Sequence, residues 1–205
     1  IVICTPPDRH TGKISPVTLA AAAVAGVSEV YAIGGVQAIG ALAFGTQTIQ
    51  AVDKIFGPGN LFVTLAKQQV FGVVGIDTLA GPTETVIIAD DTANPKWVAL
   101  DLLAQAEHDT LAAAILLTPS QALAEKVEGE IEALLKGQPA FSRQSILAQS
   151  LNDRSGMVIT KDLAEAVELS NLYAPEHLNL VVEDPWLWIP RIASAGGVFV
   201  GEQSF

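Results

Sequence analysis

Short apolar runs alternate with alanine-rich helical patterns along this sequence, and this alternation constrains the fold more than any other feature. The first cycle predicts a buried strand over 1–4, a helix over 17–24 and a second strand over 29–33. Ser15 and Pro16 stand where a helix N-cap and its first helical residue are expected. Half of the residues are hydrophobic and only 16% are charged, which allows strands to be buried beneath helices. We therefore predict an α/β protein assembled from βαβ units.

The alternation continues along the whole chain and divides at the loop Gly81-Pro82. We predict two Rossmann-like halves, over residues 1–80 and 81–205, each an incomplete doubly wound αβα sandwich with a mainly parallel sheet. In the second half we also predict a loop break at 138–141 and a last helix over 185–194. Because the chain starts in a strand-like run without an initiator Met and stops just after another such run, we expect a fragment of a longer protein.

The sequence is acidic, with a formal net charge of −11. Nucleic acids and anionic membrane surfaces are bound through basic faces, so we expect neither as a partner. No apolar run is long enough to span a bilayer, and no signal peptide opens the chain. Cys4 is the only cysteine and has no internal disulfide partner, which fits a reducing compartment. We expect a cytoplasmic protein, or a plastid protein if the source is a plant.

One stretch, 102–109, places polar residues at the end of a helix that is otherwise apolar. Gln105 and His108 are three residues apart, so on a helix they lie on one face, one turn apart. A metal ion would satisfy an amide oxygen and an imidazole together. The alternative is an ordinary helix C-terminus, at which His108 caps the last carbonyl groups and Glu107 faces water.

Glycine-rich turns follow two of the predicted strands in the first half. Gly34-Gly35 lies between a strand and a helix, where the phosphates of a ligand can approach the backbone and the helix N-terminus. The dinucleotide fingerprint G-x-G-x-x-G is absent, so a tight left-handed turn is the alternative. The second turn, Gly57-Pro58-Gly59-Asn60, ends a strand at the edge where α/β sheets bind ligands. Asn60 is either a ligand contact there or the cap of the next helix.

A second polar cluster, Pro175-Glu176-His177, lies in a predicted loop between a helix over 162–171 and a strand over 180–182. An imidazole titrates near neutral pH and is the commonest general base, so Glu176 and His177 form a candidate acid/base pair. The alternative is a surface loop that happens to contain both residues.

Taken in order, these segments resemble the histidinol dehydrogenase family, and the resemblance covers the whole chain. It is carried by GGVQAIGALAFGT at 34–46, VDKIFGPGN at 52–60, AGPTE at 80–84, AQAEH at 104–108 and YAPEHL at 173–178. Members of this family carry out the last two oxidations of histidine biosynthesis, from L-histidinol to L-histidine, with NAD+ and Zn²⁺. The resemblance implies the same activity and cofactors here.

The resemblance also implies roles for individual residues of the second half. Gln105 and His108 match two zinc ligands that also contact the substrate. His177 matches the general base, and Glu176 matches the carboxylate that helps to activate water in the second oxidation. Thr83 stands where the family often has a substrate-binding Ser, and it retains the hydroxyl.

In the first half, the resemblance implies that Gln37 and Asn60 contact NAD. It therefore divides the chain into an NAD-binding domain over 1–80 and a substrate and zinc domain over 81–205. The other zinc ligands of the family are an Asp in a Gly-Asp-Tyr segment and a His of the partner subunit, and no Gly-Asp-Tyr occurs in this sequence. We expect a homodimer for the parent protein and little or no activity for this chain alone. Two alternatives stay open: a relative that oxidises another amino alcohol, and a non-catalytic α/β binding module.

Overall fold

The computed structural model describes residues 1–79, 81–137 and 143–204. The chain divides into two compact units, Ile1–Gly81 and Pro82–Phe205. The loop break predicted at 138–141 lies outside the described residues. Within the described ranges, every helix is too short or too polar to cross a membrane.

The first unit pairs short parallel strands with helices. Both of its strand pairs, β1 with β2 and β3 with β4, are parallel. Helices α2 and α3 and strand β3 enclose a core of buried aliphatic side chains, among them Ile39, Leu42, Ile55 and Val70. In chain order the elements are β1 (Val2–Cys4), α1 (Pro16–Val24), β2 (Glu29–Tyr31), α2 (Gly35–Phe44), β3 (Lys54–Ile55), α3 (Leu61–Val70) and β4 (Gly75–Ile76).

Two helices of this unit begin differently. Ser15 is the N-cap residue of α1, as predicted, but its side chain makes no cap hydrogen bond, so Pro16 with its fixed φ is what favours the start. Asn60 instead accepts hydrogen bonds from the amides of Phe62 and Val63 at 3.1 and 3.2 Å. Asn60 therefore caps α3, as one of its two interpretations required.

The second unit is built on a five-stranded parallel sheet with the strand order β7-β6-β5-β8-β9. The chain winds outward from β5 to β7, returns to the centre and winds the other way through β8 and β9. This is the predicted doubly wound arrangement, with its switch point between β5 and β8. Its elements are β5 (Glu84–Ala89), α4 (Pro95–Ala106), β6 (Ala113–Thr118), α5 (Gln121–Gly137), α6 (Gln144–Asp153), β7 (Gly156–Ile159), α7 (Leu163–Tyr173), β8 (His177–Val181) and β9 (Gly197–Val200).

The central strand β5 shows how both faces of this sheet are covered. Ile87 and Ala89 belong to a core shared with α4 and α5. Val86 and Ile88 belong to the core on the opposite face, which α7 covers. All four side chains are at most 1% exposed, and full burial of a valine or isoleucine side chain stabilises the fold by about 1.5–3 kcal/mol. The α/β class with mainly parallel sheets is confirmed, and strand β5 is buried on both faces as is usual in such sheets.

The prediction of a last helix over 185–194 is wrong. The segment forms two short 3₁₀ helices, Pro185–Leu187 and Ile189–Arg191, ahead of β9. Pro190 accounts for the break, because it lacks an N–H and its ring clashes with the preceding turn of an α-helix.

Candidate active site

All the predicted site residues of the second unit except His108 lie at the edge of the sheet where β5 and β8 begin. Thr85 lies opposite His177 in the register of β5 and β8, and His177 lies opposite Gly197 on β9. Thr83 and Glu176 each come directly before one of these strands. Doubly wound sheets usually bind ligands at the opposite, carboxyl-terminal edge. This cluster therefore lies at the edge opposite to the one where the general rule would place a ligand site.

Backbone hydrogen bonds fix the Glu176-His177 segment. Strand β8 begins at His177, so the loop predicted to run up to 179 is wrong. The amides of Gly196 and Gly197 donate to the carbonyl oxygens of Pro175 and Glu176 at 3.0 and 2.8 Å. These bonds join the segment to the start of β9 and extend the strand back to His177.

Gly196 is a site residue that the sequence interpretation missed. A Cβ at this position would lie 2.7 Å from the carbonyl oxygen of Glu176, so any larger residue would displace that backbone. In the described part of the chain, Oε2 of Glu176 is buried without a hydrogen-bond partner. Buried polar atoms are normally paired, so this oxygen has capacity for a ligand or a proton. The signal in the sequence was the Gly196-Gly197 pair at the start of a strand.

The chain enters this segment through a strained turn and orients the imidazole against an aromatic ring. Ala174 has φ of 57° and ψ of 58°, a left-handed conformation that costs an alanine about 1–2 kcal/mol. Its N–H donates to the carbonyl of Ser170 at 2.8 Å and ends α7. The ring of His177 stands edge-on to that of Phe199, with centroids 5.5 Å apart and planes at 89°. This T-shaped contact is favourable and limits rotation of the imidazole.

Gln105 and His108 do not share a helical face. Helix α4 ends at Ala106, and His108 lies beyond it, where its N–H donates to the carbonyl of Gln105 at 3.2 Å. The predicted single face is therefore wrong. Asp109 turns the chain toward β6, because its carboxylate accepts the N–H of Leu111 at 2.9 Å. His108 is exposed, whereas Gln105 is half-buried.

Thr85, which the sequence interpretation did not select, connects the two polar clusters. Its hydroxyl donates to Oε1 of Gln105 at 3.4 Å, and its strand position is opposite His177. Thr85 is fully buried, where a hydroxyl needs a partner. Thr83, the predicted substrate contact, is half-buried and held by its carbonyl, which accepts the N–H of Ala113 at 2.9 Å. Gln105 and His177 thus become neighbours of the same residue.

A further polar pair lies on the same face of β8. Asn179 is fully buried, two residues after His177, and its amide donates to the carboxylate of Asp101 at 3.3 Å. Asp101 lies on α4, one helical turn before Gln105. Burial raises the pKa of Asp101 to about 6, and the hydrogen bond from Asn179 offsets only part of this shift. The Oδ1 atom of Asn179 has no hydrogen-bond partner among the residues described.

The donor set of this chain fits zinc only in part. An amide oxygen and an imidazole suit zinc, but a catalytic zinc uses three protein ligands. Within 1–79, 81–137 and 143–204, no group of three His, Cys, Asp or Glu side chains is placed to hold a metal. Gln105 and His108 therefore do not complete a zinc site by themselves, and we assign no catalytic step to zinc.

In the first unit, a cavity of about 1010 Å³ is bordered by both predicted glycine turns. Gly35 has φ of +68°, and a Cβ on Gly34 would lie 2.8 Å from Cδ of Pro6. The turn Gly34-Gly35 is therefore the tight left-handed turn that was the alternative to a ligand-binding turn, and it also borders the cavity. Gln37, a predicted NAD contact, is exposed in the first turn of α2.

The second turn, Gly57-Pro58-Gly59-Asn60, also needs its glycines. Gly57 has φ of +134°, which side-chain-bearing residues rarely adopt. A Cβ on Gly59 would lie 2.5 Å from Cβ of Val63 on α3. The turn therefore brings bare backbone, followed by the capping Asn60, to the wall of the cavity.

These features define a class of protein: an α/β chain of two units, one with glycine turns around a cavity and one with a doubly wound parallel sheet. In the second unit, amide, imidazole and carboxylate groups meet at the edge where the strands begin. The family model of histidinol dehydrogenase matches residues 1–205, and the chain belongs to that family. The resemblance inferred from the ordered motifs is confirmed.

Individual relatives agree with this family. The chain is 54% identical to the histidinol dehydrogenase of Gloeobacter violaceus over 201 residues, which are 98% of this chain and 44% of the relative. It is 50% identical to that of Moorella thermoacetica over 204 residues, which are 100% of this chain and 47% of the relative. The crystal structure of histidinol dehydrogenase from Elizabethkingia anophelis matches with a TM-score of 0.88 at 46% identity, covering 100% of this chain and 46% of that one. The chain thus spans a little under half the length of these relatives.

Proposed function

We propose that the whole protein is an NAD-dependent dehydrogenase that oxidises L-histidinol through histidinal to L-histidine. The observation that carries the proposal is the meeting of two distant motifs at Thr85, whose hydroxyl contacts Gln105 and whose strand partner is His177. Membership of the histidinol dehydrogenase family supports the substrate.

The first oxidation needs a base for the hydroxyl proton while a hydride leaves for the nicotinamide. We assign this base to His177. Its backbone is held in β8 and its ring stands against Phe199, so the imidazole is oriented before a substrate arrives.

The second oxidation converts an aldehyde to an acid and consumes a water molecule and a second NAD+. We assign Glu176, next to His177, to take a proton from that water as it adds to the aldehyde. The buried Oε2 of Glu176 accepts no hydrogen bond from the described residues. This oxygen therefore has its acceptor capacity available for the water molecule.

Zinc and the substrate belong to the second unit in this proposal. Gln105 and His108 supply two zinc ligands, the other ligands come from outside residues 1–205 and from a partner subunit, and Thr83 contacts the substrate. A zinc ion held there would supply binding positions for the imidazole and amine nitrogens of histidinol. The active form is a homodimer in the cytoplasm, or in the plastid of a plant.

NAD belongs to the first unit, with contacts from Gln37 and Asn60. Support comes from the cavity bordered by the two glycine turns, which Asn60 lines while it caps α3. The two interpretations of Asn60 are therefore compatible, since the cap fixes the side chain at the wall of the cavity.

The test is NADH production from L-histidinol with added zinc, followed by absorbance, for the whole protein and for this chain alone. We expect turnover by the whole protein and little or none by the chain, because the remaining zinc ligands lie outside it. Turnover by neither would exclude the proposed function. Comparable turnover by both would contradict the placement of the remaining ligands.

Thr83 favours a second candidate, a relative that oxidises another amino alcohol. It carries one methyl group more than the Ser that the family often has at this position, and this methyl narrows the space around a substrate amine. A panel of amino alcohols separates the two functions, since the second predicts a higher kcat/KM for an alcohol other than L-histidinol. A non-catalytic binding module, in contrast, would oxidise none of them and would not bind NAD.

A further inference from the structure

Lys67 is buried in a helix of the first unit, which is unusual for a lysine. Its side chain on α3 is only 3% exposed, between the core residues Ala66 and Val70. Lysine is almost never fully buried unless its ammonium group is paired, because desolvation disfavours the charge. A specific set of partners must therefore hold this ammonium group.

Those partners are the backbone of Gly57 and the side chain of Asp77. Nζ of Lys67 donates to the carbonyl of Gly57 at 2.9 Å and to Oδ1 of Asp77. The other carboxylate oxygen, Oδ2 of Asp77, accepts the N–H of Gly57 at 2.8 Å. The ion pair thus binds both backbone polar groups of one glycine.

Asp77 itself is fixed at the end of β4. Its N–H donates to the carbonyl of Ile55 on β3 at 3.1 Å, and its side chain is 23% exposed. Burial alone would raise the pKa of Asp77, but the hydrogen bonds from Gly57 and Lys67 outweigh it and hold the pKa well below its usual range. The carboxylate is therefore charged at every pH at which an enzyme of this kind would work.

The peptide that this pair holds is the first of the turn beside the cavity. Gly57 adopts φ of +134°, and the next three residues reach Asn60 without regular secondary structure. Lys67 lies seven residues after Asn60, about two turns along the same helix. Lys67 thus connects the first residue of the turn, Gly57, to helix α3, which begins directly after the last residue of the turn, Asn60.

We propose that Lys67 and Asp77 are positioning residues that hold the Gly57–Asn60 turn in the shape that admits NAD. The inference rests on the proposed function, in which Asn60 contacts the cofactor. Neither residue is assigned a contact with NAD or a part in the chemistry. Loss of either residue should weaken cofactor binding because the turn is no longer held, while the acid/base pair of the second unit is left unchanged.

The experiment uses the whole protein with Lys67→Met, which keeps the length of the side chain and removes its charge. We expect the KM for NAD to rise by about tenfold or more, with kcat at saturating NAD and the KM for L-histidinol within about twofold of the starting protein. Asp77→Asn should shift the same constants in the same direction. Since its side chain is partly exposed, it serves as the second variant if Lys67→Met does not fold.

The matched control removes a lysine from an exposed ion pair. Lys136 and Glu132 form such a pair in the second unit, at 2.8 Å and with side chains 76% and 61% exposed, so Lys136→Met should change neither constant. An unchanged KM for NAD in a folded Lys67 or Asp77 variant would overturn the inference. An equal fall in kcat/KM for NAD and for L-histidinol would do the same, because it would indicate a general structural role.

Equilibrium binding of NAD, measured by calorimetry on the same proteins, separates this inference from the function on which it rests. Weaker NAD binding by the variants than by the starting protein supports the inference. Binding of equal strength overturns the inference alone. A starting protein that neither binds NAD nor oxidises histidinol overturns both.

Discussion

Two aspartates, one in each unit, have pKa values that are shifted in opposite directions. Asp77 in the first unit is paired with Lys67 and with a backbone amide, and its pKa is held below the usual range. Asp101 in the second unit is half-buried beside Asn179, whose amide is too weak a partner to offset desolvation, and its pKa rises to about 6. The first unit uses charge to fix a backbone turn. In the second unit, Oε2 of Glu176 and Oδ1 of Asn179 are buried without a hydrogen-bond partner among the described residues, as functional sites often leave polar atoms.

The largest expected effect lies in the edge cluster of the second unit. In the whole protein, His177→Asn should lower kcat for histidinol oxidation by about 10²–10⁴-fold, because the imidazole is replaced by a polar amide of smaller size that cannot act as a general base. Steady-state kinetics at saturating NAD measure this. His10→Asn is the matched control, since His10 is exposed in a loop of the first unit and should leave kcat unchanged. A loss below tenfold in the His177 variant would contradict its role as the base.

Glu176→Gln should have a smaller and more selective effect. Because Glu176 is assigned to the water of the second step, oxidation of histidinal should slow by more than the oxidation of histidinol. Separate assays started from the alcohol and from the aldehyde measure the two rates. An equal loss in both assays would show that Glu176 acts on the cluster as a whole.

On the side of the first unit, Asp77→Asn tests the paired charge. Loss of the carboxylate leaves Lys67 buried with one fewer partner, and we expect about 3 kcal/mol less free energy of unfolding at neutral pH. The pKa of Asp77 is lowered on folding, so its contribution is fully present above the unfolded value of about 3.9 and is lost as pH falls below it. Urea unfolding at several pH values should therefore show a deficit that shrinks in acid. A deficit that is independent of pH would contradict the assigned charge.

Asp101→Asn tests a carboxylate without a basic partner. Its expected effect on the free energy of unfolding is opposite in sign to that of Asp77→Asn. The folded pKa of Asp101 is raised to about 6, so ionisation destabilises the fold as pH rises from about 4 through 6. The amide variant avoids this loss and should be about 1 kcal/mol more stable than the starting protein at pH 7.5, after allowance for solvent screening. At pH 4.5 the gain should be much smaller. An equal gain at both values would show that the carboxylate is not the cause.

The smallest expected effect concerns the strained turn before the acid/base pair. Ala174 adopts a left-handed conformation that glycine adopts at no steric cost. Ala174→Gly should raise the free energy of unfolding by about 0.5 kcal/mol, since relief of strain exceeds the added flexibility of the unfolded chain. Thermal unfolding measures the shift, and Ala93→Gly, at a residue without positive φ, should show no gain. A destabilised Ala174 variant would show that the turn is held without strain.

The sequence by itself determined the local elements and the family. The alternation of apolar runs and helical patterns predicted the α/β class, and Asn60 was a candidate cap of the next helix, because periodicity and capping depend on residues only a few positions apart. The ordered motifs carried the family resemblance for the same reason, since each is a contiguous stretch.

The tertiary structure alone decided which of these pieces meet. Strand order places Thr85 against His177 at the edge where the strands begin, although the two are far apart in the sequence. The burial of Lys67 against Asp77 and the hydrogen bond from Asn179 to Asp101 likewise depend on packing between separate elements. Desolvation and hydrogen bonding of a side chain are set by neighbours in space, and these neighbours are chosen only when helices and strands pack into a sheet with one register.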